Sequence, residues 1–182
     1  MKNILLTGDI NIGKSTIVNS VIDNSFARVK GFRTLPAFLE NSDRVFKMHP
    51  LNCNIKIPEN AYICGKNVHG ENFPVIETFE NYGVQILDDC LLDKPDIILM
   101  DELGVFEENA KEFQERVFRC FECASPVVGV IKLKESLFLD KIRSRSDVNV
   151  VEININNRIA RKKWLMELIS KNFMGSQNVH AS

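Results

Sequence analysis

The segment Gly8-Asp9-Ile10-Asn11-Ile12-Gly13-Lys14-Ser15 constrains this chain more than any other, because it satisfies the pattern G-x-x-x-x-G-K-[ST]. A loop of this kind curls until successive backbone N–H groups point inward, and the helix that follows aims its positive N-terminal end at the same spot. The result is a cradle for phosphate, with the lysine reaching the β and γ groups and the hydroxyl ligating Mg²⁺. The flanks agree with it. Asn3–Thr7 (NILLT) is a short β-favouring run, and Ile17, Val18, Val21 and Ile22 recur at helical spacing over about Lys14 to Asp23. The expected nucleotide contacts are Gly8, Asp9, Ile10, Asn11, Ile12, Gly13, Lys14, Ser15 and Thr16, with Ser15 also a metal ligand.

The rest of the chain alternates between strand and helix signals. Phe26–Phe32 reads as a second strand, Val84–Leu92 as a helix, and Ile97–Asp101 as a strand. Ala110, Phe113, Val117 and Phe121 form the apolar stripe of the next helix. Pro126–Lys132, a near-continuous apolar run, suits a strand covered on both faces. A short helix over Leu137–Arg143, a strand over Val148–Ile153 and a helix over Ile159–Phe173 follow. Between Arg44 and Phe73 the pattern breaks into short alternating runs. Cys53–Ile57 and Ala61–Cys64 read there as strands joined at Pro58-Glu59-Asn60, an antiparallel hairpin or meander inserted into an α/β chain. The expected organisation is one domain over residues 1–174, with the insertion at 44–73 and a flexible polar tail at 175–182.

Composition narrows the partners. The chain has 182 residues, with 23 Lys+Arg against 24 Asp+Glu and a formal net charge of -1, so no broad positive field favours nucleic acid or an anionic membrane. A bound anion must then be held locally. No apolar run approaches the ~18 residues of a spanning helix, and the first ten residues do not read as a secretory signal. Five cysteines, an odd number, fit a reducing cytoplasm better than a disulfide scaffold.

The strand Ile97-Ile98-Leu99-Met100 ends in Asp101-Glu102. A buried strand ends in two adjacent acids when they face something polar or cationic. Beside a phosphate loop, Asp101 suits the Mg²⁺ shell, and Glu102, alternating to the other side, suits orienting or deprotonating the attacking water. Guanine readers carry Asn-Lys-x-Asp after a later strand. The nearest run here, Asp93-Lys94-Pro95-Asp96, has the wrong first residue and precedes the acidic strand, so it reads as a turn.

Further segments carry a family resemblance. Gly31-Phe32-Arg33-Thr34 is similar to a G-F-aromatic-T signature, and Tyr82-Gly83-Val84 to a Y-G-V segment. Asp101-Glu102-Leu103-Gly104 with Glu107 resembles a D-E-I-G-K-M-E run. Ile142-Arg143-Ser144-Arg145 with Asp147-Val148, then Asn157-Arg158, resembles I-R-x-R-x-D-V and E-N-R elements. In this order, from Gly8 to Arg158, the segments resemble the nucleoside-triphosphatase family known from thermophiles and as cancer-related nucleoside-triphosphatases. The resemblance implies a three-layer P-loop NTPase fold with a mostly parallel sheet. It also implies Mg²⁺-dependent hydrolysis of a broad range of nucleoside triphosphates, ATP and GTP among them, to diphosphate and phosphate. Two departures stand out. Ile10-Asn11 replaces the usual Pro-Gly, where Asn best tolerates left-handed backbone, and Val105 replaces a lysine.

Phosphoryl transfer gains from an arginine at the γ-phosphate. Candidates are Arg33, Arg143, Arg145 and Arg158, of which Arg158 is carried forward with Lys14 and Glu102 as the catalytic set, although it is equally placed to stack on the base. Cys120-Phe121-Glu122-Cys123 lacks the two further ligands that zinc requires, and the basic run Arg158, Arg161, Lys162, Lys163 reads as a solvated helix face. His49, His69 and His180 are scattered. The expected partner is a small-molecule nucleotide, with no nucleic acid or membrane. Two other functions stay open: a small-molecule kinase whose region 44–73 covers an acceptor, and a nucleotide-gated regulatory protein with weak hydrolysis.

Overall fold

The apolar runs become inner strands because both faces of their sheet are covered. The computed structural model describes residues 2–173. Its strands are β1 (Asn3–Thr7), β2 (Val29–Phe38), β3 (Arg44–Leu51), β4 (Cys64–Lys66), β5 (Asn72–Pro74), β6 (Ile97–Leu103), β7 (Val127–Ile131) and β8 (Val148–Glu152). The helices are α1 (Lys14–Asp23), α2 (Ile76–Thr78), α3 (Val84–Asp93), α4 (Lys111–Glu122), α5 (Leu137–Arg143) and α6 (Arg158–Phe173). Six strands form one sheet in the order β3-β2-β6-β7-β1-β8, parallel throughout except for the antiparallel edge strand β3. β4 and β5 make a separate antiparallel pair.

Period-two alternation divides each inner strand between two cores. Leu5, Ile98, Met100, Val127 and Ile131 pack with Ile86 and Leu87 of α3, Phe113 and Val117 of α4, and Phe138 of α5. Ile4, Leu6, Ile97, Leu99, Val128 and Val130 pack with Val18 and Val21 of α1 and Leu165 and Ile169 of α6. Helices thus cover both faces, giving the three-layer α/β arrangement expected. Ordinary parallel βα connections carry β1, β6, β7 and β8 so that their C-terminal ends share one edge of the sheet, where ligands bind in open α/β folds.

The antiparallel half departs from the sequence reading. β2 begins three residues later than expected and runs on to Phe38, while Phe26 is 71% exposed in the preceding loop. β2 pairs with β3 from Gly31↔Leu51 out to Phe38↔Arg44, and beyond Arg33 it has left β6 and pairs with β3 alone. Pro36 and Pro50 are accommodated there because an edge ladder spares some N–H groups. Region 44–73 therefore holds an edge strand and part of a small second sheet, and Pro58-Glu59-Asn60 joins no hairpin. Cys53, Ile55 and Ile57 do alternate inward, packing on the core, yet no strand pairs with them. Their alternation reported burial, not pairing. Only Tyr62 forms a bridge, to Lys47, before β4 starts at Cys64.

The helix expected at Val84–Leu92 is α3, and the unforeseen α2 leads into it through a π-helical turn (Phe79–Gly83). That turn breaks the 3.6-residue period and sets Phe79 against Phe113, ring centroids 5.4 Å apart. The Asp93–Asp96 run is a turn, with Lys94 in left-handed conformation at φ 49°. The tail from Gly175 and His180 lie outside the described residues. No described helix is long and apolar enough to cross a membrane.

Candidate functional site

The phosphate loop leaves β1 at Gly8, whose φ is 136° and where a Cβ would stand 2.3 Å from the Ile153 carbonyl oxygen, so glycine alone fits. Asn11 takes the left-handed conformation at φ 63°, the geometry that a Gly would otherwise supply. Gly13, at φ 97°, opens α1, and no side chain caps the helix. Its first-turn N–H groups stay available to a ligand. Asp9, Ile10, Asn11 and Thr16 are exposed around the rim. Lys14 is buried, and its ammonium folds onto the loop, donating to the Gly8 carbonyl at 2.9 Å and the Asp9 carbonyl at 2.7 Å. Burial lowers its pKa, an effect opposed first by the negative charge of Glu102.

β6 delivers the acidic pair. Asp101 is 2% exposed, and its Oδ1 accepts from the Ser15 hydroxyl at 2.7 Å. Its Oδ2 accepts from Asn19 Nδ2 at 2.8 Å. Burial pushes the Asp101 carboxyl above the usual range, while these two bonds act the other way. The Asp101–Glu102 peptide is cis. Glu102 Oε1 pairs with Lys132 Nζ at 2.9 Å, and its N–H donates to Thr34 Oγ1 at 3.3 Å. Glu102 and Lys132 border a cleft of about 20 Å³, lined also by Thr34, Phe46, Phe106 and Glu107. That is room for a water. Glu107 is itself fully enclosed, accepts from the Gly104 N–H at 3.1 Å, and has its carboxyl pushed up to about 7 by burial.

Among the described residues no three His, Cys, Asp or Glu side chains converge as a metal cluster. A hydroxyl and a buried carboxylate in contact are nonetheless hard oxygen donors of the kind Mg²⁺ takes when substrate phosphates supply further ligands. Three side-chain atoms in this neighbourhood, Thr7 Oγ1, Asn19 Oδ1 and Arg33 Nε, are buried without a hydrogen-bond partner among the described residues.

The four arginines fall in different places. Arg33 lies within β2, in register with Asp101, and its guanidinium pairs with Asp23 of α1. Arg143 braces the turn after β7, donating to the carbonyls of Lys132 and Lys134 and pairing with Asp140 at 2.7 Å. Arg145 belongs to the far edge of the sheet, bound to Asp147 and Glu122. Arg158 opens α6 on the loop side and is exposed. Val105 packs against the apolar core, as do Cys120 and, in part, Cys123.

Sequence reasoning missed Asn19, Lys132 and Glu107 as members of this neighbourhood. Asn19 was legible in principle, being four residues after Ser15 and so one helical turn along the same face. Lys132 carried a weaker signal, as the first charge after an apolar strand. Nothing local marked Glu107 as buried.

Comparison with known proteins identifies the family and the fold. A family model described as NTPase matches residues 3–170. Among curated relatives, the nucleoside-triphosphatase THEP1 of Thermotoga sp. (strain RQ2) is 28% identical over 170 residues, 93% of this chain and 96% of the relative. Two solved structures share the fold. The crystal structure of THEP1 from the hyperthermophile Aquifex aeolicus superposes with a TM-score of 0.67 at 20% identity, covering 93% of this chain and 99% of that one. The solution structure of a human cancer-related nucleoside triphosphatase gives 0.63 at 21%, covering 96% and 99%. A phosphate loop on β1, an acidic pair on β6 and a family match spanning nearly the whole chain lead to one assignment: this chain belongs to the NTPase family.

Proposed function

We propose that the chain hydrolyses nucleoside triphosphates, ATP and GTP among them, to diphosphate and phosphate with Mg²⁺. The observation that carries this reading is the 2.7 Å contact between Ser15 Oγ and Asp101 Oδ1, which joins the phosphate loop to the acidic strand. The loop amides from Gly8 to Thr16 cradle the phosphates, and Lys14 exchanges its two loop carbonyls for phosphate oxygens. Ser15 and Asp101 would hold Mg²⁺, which when bound neutralises charge on the β and γ groups. Glu102 orients the attacking water and takes its proton. Arg158, exposed at the start of α6, is the arginine assigned to assist at the nucleotide in this reading.

The cleft beside Glu102 has room for a water, which is what hydrolysis requires there. Five free cysteines in the described residues suit a reducing cytoplasm. The test is phosphate release from ATP, GTP, CTP and UTP with Mg²⁺ and no acceptor, run beside Lys14→Ala and Glu102→Gln. Release by the parent and its loss in both variants is the expected result. Full activity in Glu102→Gln would remove the water-activating role, and turnover unchanged in Lys14→Ala would remove the phosphate-loop mechanism.

A further inference from the structure

At the loop edge of the sheet, Lys132 combines a fixed place with an ammonium that meets a single carboxylate. The strand order sets that place. β7 lies between β6, which ends in Asp101-Glu102, and β1, which ends in the phosphate loop. Lys132 is the first residue past β7, so the fold puts it between the two halves of the site.

Its backbone is held on both sides. The Lys132 N–H donates to the Leu103 carbonyl at 2.9 Å, extending the β6 ladder, and its own carbonyl accepts from Arg143. The side chain is equally directed. Its stem crosses Gly104, where a Cβ would stand 3.1 Å from Lys132 Cδ, and its ammonium lies 5.3 Å from the Phe106 ring centroid. That ammonium meets Glu102 Oε1 at 2.9 Å. An ammonium carries three donors, and the Glu102 carboxylate is the one ion-pair partner of Lys132 Nζ among the described residues. By contrast Arg143 and Arg145 are committed to carboxylates and carbonyls, and Arg33 is drawn away to Asp23 of α1, its free Nε buried. Lys14 feels the charge of both Glu102 and Lys132, which places the three groups in one neighbourhood.

We propose that Lys132 is a second phosphate-binding lysine, its ammonium bridging Glu102 and a terminal oxygen of the γ-phosphate of a bound nucleoside triphosphate. It holds the carboxylate in place and offsets the charge that grows on the γ-phosphate, the task an arginine performs elsewhere. This rests on the triphosphatase reading above, and it predicts selectivity: the group a diphosphate lacks is the one Lys132 touches.

The test measures binding as well as turnover. A non-hydrolysable β,γ-imido triphosphate and the matching diphosphate, each with Mg²⁺, compete against a fluorescent nucleotide on the parent, Lys132→Met and Lys132→Arg. Lys132→Met should weaken the triphosphate about tenfold while moving the diphosphate less than about twofold, and kcat should fall roughly a hundredfold. Lys132→Arg should restore most of the triphosphate preference. Equal losses for the two nucleotides, or no loss for either, would overturn the proposal. If the methionine variant folds poorly, Lys132→Gln answers the same question. Triphosphate preference that depends on Lys132 in a parent with no phosphate release would reject the hydrolytic reading and keep this one, so the two fail separately.

Discussion

The two edges of the main sheet treat charge in opposite ways. At the edge where β8 begins, Arg145 is held at all three of its nitrogens: it makes two 2.8 Å bonds to Asp147, a third to Glu122 at 3.2 Å, and lies over Phe121. Asn3 there ties the Phe121 carbonyl to the Val127 N–H, at 3.0 and 2.8 Å. At the loop edge, Lys14 rests on two carbonyls it can release, Lys132 has Glu102 as its one ion-pair partner among the described residues, and Thr7, Asn19 and Arg33 each keep a buried atom unpaired. Closed networks rigidify, whereas unpaired buried polar atoms are costly unless something binds them. The contrast marks the loop edge as the one with polar capacity left for a ligand.

Substitutions at the two edges should therefore separate activity from stability. The largest effect is expected for Lys14→Ala, with phosphate release falling on the order of a thousandfold as the charge on the β and γ groups loses its cation. Glu102→Gln should lower kcat by roughly a hundredfold to a thousandfold while leaving triphosphate binding within a few-fold of the parent, as read by nucleotide displacement. A variant that lost binding and turnover together would make Glu102 structural and blur the contrast.

Glu107 offers a test through pH. Burial holds its carboxyl at about 7 against an ordinary 4.5, so between those values the folded chain keeps a proton that the unfolded chain releases. The stability this gives is fully present below about pH 4.5 and is lost as pH rises through 7, a span worth up to roughly 3 kcal/mol. Glu107→Gln should flatten that decline in denaturant titrations between pH 5 and 8. An unchanged slope would assign the decline elsewhere. The smallest effect is expected at the far edge, where Arg145→Ala should cost about 1 kcal/mol in chemical denaturation and leave kcat unaltered, since its partners are partly exposed. A fall in kcat there would break the comparison.

What the sequence disclosed follows the physics of each region. The parallel half was legible because β1, β6 and β7 are short apolar runs bounded by turns, and because the phosphate loop needs particular residues at fixed spacing. Helices α1, α5 and α6 fell within a residue of expectation for the same reason. The antiparallel half was not. Cys53, Ile55 and Ile57 alternate in burial without pairing, and alternation alone cannot distinguish a strand from an extended segment lying on the core. The π-helical turn hid the start of the 76–93 helical segment. At the site, Lys14, Ser15 and Asp101 carry local motifs, whereas the roles of Lys132 and Glu107 depend on which strands are neighbours.

The position of β7 between β1 and β6 has a consequence for how a nucleotide is met. Ladder hydrogen bonds fix neighbouring strands roughly 4.8 Å apart, so the tips bearing the phosphate loop, Lys132 and the acidic pair are spaced when the chain folds. Much of the ordering that binding would otherwise demand is thereby complete in the free protein. Affinity then depends less on how many contacts a triphosphate makes than on how few of them must first be assembled.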